Sequence, residues 1–201
     1  ISAGILACGM SESKDLTLLI DIGTNGEIVL GNKEWLISCA ASAGPAFEGS
    51  GVVSGMRASK GAIQRVSIDK NYNAKFSTIG EARAQGICGS GYIDILAELL
   101  RVGIIDKSGK INEVKTPKIR SGEFGAEFIL SPRDENAFDG DVVVTEMDIE
   151  NLKRAKAAIY AATSMLVRHM NLKLDDIKRI FIAGGFGTYL DIEKAIYIGL
   201  L

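Results

Sequence analysis

The chain has 201 residues, enough for one substantial domain or two small ones, and its 47% hydrophobic and 24% charged residues exclude a disordered or fibrous protein. Its 23 Lys and Arg against 25 Asp and Glu leave a net charge of −2, so bulk electrostatics argue against a nucleic-acid binder. Three scattered cysteines (Cys8, Cys39, Cys88), one histidine (His169) and only short apolar runs argue against a disulfide framework, a zinc or iron–sulfur site held by this chain alone, and a membrane span.

Residues 1–10 are apolar and small, as expected for the tail of a helix, and no basic segment marks them as a signal peptide. The chain starts at Ile1 and stops at Leu201 inside apolar patterns, so both ends read as cuts through a longer protein. Residues 16–22 are nearly continuously apolar and predict a strand covered on both faces. Asn25-Gly26 predicts a hairpin whose two residues take positive φ, leading to a second strand at 28–30. A turn at Gly31-Asn32 and a third strand at 34–39 complete an antiparallel meander. Residues 42–61 are glycine-rich and irregular, with a short helix from Pro45, and 62–68 with 75–79 read as a strand pair.

Beyond Gly86, the apolar residues Ile93, Leu96, Ala97, Leu100 and Ile104 have helical spacing. Residues 106–141 are polar, with a basic stretch from Lys107 to Arg120 (set against Glu113) read as a solvated face, and a hairpin strand at 128–130. A buried strand at 142–144 precedes Thr145, a helix cap. The helix it starts keeps Ile149, Leu152, Ala155, Ile159, Ala162 and Leu166 on one face. Residues 179–183 predict another buried strand, broken at 184–187, with a helix resuming near Leu190.

Asp21 ends four apolar residues of a central strand, where an unpaired carboxylate is costly. Either a local hydrogen bond satisfies it, or it faces a cleft and holds an attacking or magnesium-bound water. Gly23, Thr24, Asn25 and Gly26 after it would bring backbone N–H groups and a hydroxyl to phosphate oxygens, or form an ordinary hairpin. Further glycine clusters at 44–49, 86–91 and 184–187 are open to the same two readings, and the last two are expected to lead into helices whose N-termini favour anions. The chain has no G-x-x-x-x-G-K-[ST], and 86–91 runs G-x-x-G-x-G, so neither a P-loop nor a Rossmann fingerprint is present. Glu27 and Glu48 are candidate general bases, Glu48 equally a solvent-facing residue at a helix start; Arg57 is a candidate phosphate partner. Cys39 and Cys88 read as buried apolar-like residues and His169 as a helix-surface residue.

The D-x-G-T-x-G turn, the βββ-helix-strand-helix-strand order and the G-G after the last strand resemble the ribonuclease-H-like, actin-like ATPase domains of the ASKHA superfamily. More closely, residues 18–30 (LLIDIGTNGEIVL), 43–49 (AGPAFEG), 55–58 (GMRA), 86–94 (GICGSGYID) and 182–187 (IAGGFG) resemble the ATP-dependent reductive activators of corrinoid proteins. The resemblance implies an α/β fold, a mixed sheet with flanking helices and β-hairpin insertions near 42–86 and 106–141, the whole of 1–201 forming one subdomain of a two-lobed ATPase. It implies ATP and Mg2+ as ligands, with phosphates on 23–26 and on Gly89, Ser90 and Gly91, Asp21 orienting magnesium-bound water, and adenosine on Gly184, Gly185 and Gly187. It implies a corrinoid-binding methyl-transfer protein as partner and an iron–sulfur cluster in a part of the parent outside this chain; the three scattered cysteines point to a reducing cytoplasmic setting. A homodimer, a different ATPase or kinase of the superfamily, and a non-catalytic docking module for the corrinoid protein stay open.

Overall fold

The computed structural model describes residues 1–112, 116–185 and 187–201. Glu113 and Lys115 of the basic stretch, and Phe186 of the last glycine cluster, lie outside the described residues. After a short helix α1 (Ser2–Ala7), the meander forms as β1 (Thr17–Ile22), β2 (Gly26–Gly31) and β3 (Leu36–Ala41). The long helix α3 (Glu146–His169) crosses one face of it. Its Ile149, Leu152, Ala155 and Ile159 join Leu18, Ile20, Ile28 and Leu30 in the main core, each such buried aliphatic side chain contributing roughly 1.5–3 kcal/mol. Thr145 caps α3 as expected: its hydroxyl accepts from the Asp148 N–H, and the Asp148 carboxylate accepts from the Thr145 N–H. On the opposite face of the sheet α1 covers a small cluster of Met10, Leu19 and Val29.

The hairpin after β1 differs from the Asn-Gly expectation. Neither Asn25 nor Gly26 has positive φ; the turn closes through Gly23 N–H to Asn25 O at 3.0 Å, and Gly26 is already in β2 opposite Ile22. The glycine there is crowded from α3: a Cβ would stand 3.0 Å from Ile159, tighter than ordinary packing. The strand β10 (Arg179–Ala183) lies parallel beside β1 and completes a sheet of order β10-β1-β2-β3. It is not buried as its composition suggests: it is the sheet edge, and Ile180 is 49% exposed.

Residues 62–87 and 119–145 each build a separate three-stranded sheet. The first is β5 (Ala74–Thr78), β4 (Ala62–Ile68) and β6 (Gly86–Ile87), against which α2 (Gly89–Arg101) packs. The helix stops before Ile104, because Gly103 turns with φ +76° and Ile104 is buried beyond the end. Strand β6 covers only Ala62 and Ile63 of β4, so the rest of that edge lacks a strand partner. Two carboxylates one helical turn apart replace it: Val66 N–H donates to Asp94 (3.0 Å) and Ile68 N–H to Glu98 (2.8 Å). Lys194 and Arg101 donate to the carbonyls of Val66 and Ile68.

The second is β7 (Ile119–Gly122), β8 (Gly125–Ser131) and β9 (Val142–Thr145), the hairpin expected around 128–130. There Arg133 N–H and the Arg120 guanidinium both donate to Asp141, holding its carboxyl below the usual range. A carboxyl with a lowered folded pKa adds stability above its unfolded value, about 3.9, and loses it as pH falls through the folded value. Asp141→Asn is therefore expected to cost about 1 kcal/mol at pH 7. Urea titrations at several pH values should show that deficit shrink only below pH about 4, closing as Asp141 protonates in the wild type. Among the described residues no helix is long and apolar enough to cross a membrane.

Candidate functional site

A solvent-open cleft lies where the end of β1, the N-terminus of α2 and the segment after β10 meet. Ile22 at the end of β1 and Gly185 with Tyr189 form one side; Arg57 and Ala58, the 3-10 turn Pro45–Glu48, and Cys88, Gly89 and Ser90 form the rest. The glycine-rich segments at 44–58, 86–91 and 184–189, far apart in sequence, thus share one concavity.

The helix α2 presents its N-terminus to this cleft. Its N-cap is Cys88, whose side chain makes no cap hydrogen bond and turns back to the Ile63 carbonyl at 3.2 Å. The first turn carries no acid and no side-chain cap, leaving N–H groups and the positive end of a 13-residue helix at Gly89 and Ser90. Gly91 does not reach the cleft. It is buried against β4, where a Cβ would stand 2.2 Å from the Ile63 carbonyl oxygen.

On the hairpin side, the Thr24 hydroxyl donates to Glu48 Oε2 at 2.7 Å, tying the turn after β1 to the cleft wall. Gly23 sits beside the same carboxylate, its Cβ position 3.6 Å from Glu48 Oε1. Thr24 and Asn25 are exposed, whereas Gly26 faces α3 and is placed away from the cleft. Asp21 is half-buried and lies one residue before the cleft-lining Ile22, in register with Ala183 on one side and Glu27 on the other. Asp21 and Glu27 therefore share the sheet face that α1 partly covers, at the end nearest the turn.

The bends after β1 and β10 converge. Gly184 has φ +89°, and a Cβ there would stand 3.0 Å from Asp21 Oδ1 and 2.8 Å from Ile22 O, so only glycine lets the two strand ends lie this close. Gly187 is held against Ile182 O in the same way. Gly185 alone of the three has open space where a side chain would go. The segment runs into a 3-10 turn (Gly187–Tyr189) rather than directly into a helix, and the helix α4 (Ile192–Tyr197) follows, capped by Asp191.

Two cleft residues carry a stronger case in the structure than in the sequence. Arg57 lines the cleft with its guanidinium in no ion pair among the described residues, a cation free to meet phosphate. Tyr189 lines it while 51% exposed, an aromatic face available to a flat ring. The GMRA motif pointed to the first; nothing local marked the second. Cys88 is buried, Cys39 is half-buried with its thiol pushed up by burial, and His169 is exposed in the last turn of α3.

Comparison with known proteins agrees with this fold. The family described as the C-terminal domain of RACo, the ASKHA domain, matches residues 15–201. The corrinoid activation enzyme RamQ of Eubacterium limosum is 37% identical over 96% of this chain and 34% of its own length. A [Co(II) methylated amine-specific corrinoid protein] reductase of Methanosarcina barkeri is 32% identical over 91% of this chain and 34% of its own. A solved reductive activator for corrinoid, iron–sulfur protein superposes with a TM-score of 0.95 at 55% identity, over 100% of this chain and 32% of its own. The chain thus spans about a third of the length of the proteins it matches. With this sheet, these flanking helices and a match over nearly its whole length, the chain belongs to the family of the RACo C-terminal ASKHA domain.

Proposed function

We propose that the cleft binds Mg-ATP, as one half of an ATPase whose other lobe lies elsewhere in the full-length protein. Residues 1–201 act as a single subdomain, the β-hairpin segments near 42–86 and 106–141 being insertions into its ribonuclease-H-like core. The observation that carries this reading is the convergence of the uncapped α2 N-terminus, Glu48 with its Thr24 partner, Arg57 and the bare backbone at Gly185 on one cavity.

The N–H groups of Gly89 and Ser90 and the turn 23–25 would receive phosphate oxygens, with Arg57 countering their charge. Gly185 and Tyr189 would receive the adenosine. Among the described residues no three His, Cys, Asp or Glu side chains converge, so Mg2+ would arrive on the phosphates and meet Asp21 through water. That ion would supply charge neutralisation of the phosphates, while Asp21 orients water and Glu48, or Glu27 beside Asp21, accepts its proton. Closure of the two lobes around ATP and release on hydrolysis would form the two-state device.

In the full-length protein, we propose, this device drives one electron from an iron–sulfur centre outside the chain onto a Co(II) corrinoid. The corrinoid is held by a partner methyl-transfer protein in the cytoplasm, and the product is Co(I), while ATP and water yield ADP and phosphate. The relatives' names support the corrinoid; the cleft supports the nucleotide.

Asp21→Asn in the full-length protein is expected to lower the kcat of ATP hydrolysis by about 100-fold or more, as for loss of a group that positions the attacking water. Its calorimetric Kd for Mg-ATP should stay within about threefold of the wild type, because Asp21 lies off the binding wall. Unchanged turnover would remove Asp21 from the mechanism.

A further inference from the structure

Lys194 joins α4 to both α2 and β4. Its ammonium, on α4, donates to Asp94 of α2 at 3.0 Å and lies 3.5 Å from Glu98, besides binding the Val66 carbonyl on β4. The Asp94 side chain is 1% exposed and that of Glu98 8%, so neither is neutralised by solvent. Arg65 closes the ring, 3.6 Å from Asp94 and 3.5 Å from Asp191, the residue that caps α4. Asp94 is one helical turn beyond Ser90, and Lys194 follows Tyr189 by five residues, so both ends of the bridge sit within about a turn or two of cleft-lining groups.

We propose that Lys194 is a positioning residue for the nucleotide: it sets the distance between the α2 N-terminus and the Gly185–Tyr189 side of the cleft. This rests on the nucleotide reading given above. The Asp94 and Glu98 carboxylates already hold α2 on β4 through Val66 and Ile68, so the bridge to Lys194 adds the one thing those bonds cannot, the placement of α4. Without it the binding-competent spacing becomes one of several, and apparent affinity falls by the fraction of molecules that retain it.

Lys156 supplies the comparison. It also pins α4, donating from α3 to Ile198 O at 2.7 Å, but at the end away from the cleft. In the full-length protein, Lys194→Met is expected to raise both the calorimetric Kd and the KM for Mg-ATP about tenfold, corresponding to a competent fraction near one tenth. The kcat at saturating ATP should stay within about twofold, since uniform binding is lost rather than transition-state stabilisation. Hydrogen exchange without nucleotide should quicken at 89–92 and 187–190. Lys156→Met should lower Tm and leave Kd within about twofold of wild type, its contact lying outside the cleft. If Lys194→Met does not fold, Asp94→Asn/Lys194→Met, which removes both charges together, carries the same expectation. Wild-type affinity in the folded Lys194 variant, or equal weakening by Lys156→Met, overturns the proposal while sparing the nucleotide reading. A wild-type protein with no affinity for Mg-ATP overturns both.

Discussion

Gly185→Leu in the full-length protein is expected to weaken Mg-ATP binding by about 100-fold or more while leaving the fold intact, a loss of roughly 2.7 kcal/mol or more. Nothing stands within 4 Å of a Cβ at this glycine, and its φ lies outside the left-handed region, so the backbone accepts a side chain without strain. Replacing glycine also narrows the unfolded ensemble, which favours the fold by about 0.4–1 kcal/mol where the backbone is compatible. Gly185 lines the cleft, so a leucine side chain there competes with whatever lies against the backbone. Calorimetry with Mg-ATP beside a thermal melt separates the two effects. A stable variant that binds as the wild type would remove the Gly185 wall from the nucleotide site.

Gly91→Ala should do the reverse and damage the fold first. A Cβ there would stand 2.2 Å from the Ile63 carbonyl oxygen and 3.0 Å from Ile87 Cγ2, so α2 must lift from β4 to admit it. Lifting breaks the bonds that seat the helix: Cys88 N–H to the same carbonyl at 3.1 Å, and the Asp94 and Glu98 carboxylates on the β4 edge. The expected cost is about 3 kcal/mol, the upper end for forcing extra volume into a packed interior. Gly103→Ala offers the contrast: φ is +76° but nothing lies within 4 Å, so only backbone strain of about 1 kcal/mol applies. Urea midpoints of the two variants decide the matter. Equal midpoints would mean that α2 is not seated on β4 as described.

Local pattern carried most of the element order. The continuous apolar run at 16–22, the Pro45 start, the Thr145 cap and the spacing from Ile149 to Leu166 all became the expected elements. Where reading failed, a distant partner decided. Gly26 stands in the turn motif, yet α3, more than 130 residues later, is what crowds it. The run 179–183 has the composition of a buried strand and lies at an edge, because burial depends on what pairs beyond it. Asp94 and Glu98 have the helical spacing of two solvent-facing acids; their burial follows from β6 stopping after two residues and exposing β4 to them.

The sequence alone therefore determined most of the strands and helices, and five ordered motifs were enough to indicate the family, because these depend on residues close together in the chain. Which glycines border a cavity and which merely let backbones pass was decided only in three dimensions. A glycine is required wherever a Cβ would collide, and whether the colliding atom is a ligand or Ile159, Ile63 or Ile182 depends on packing between segments that no local pattern records.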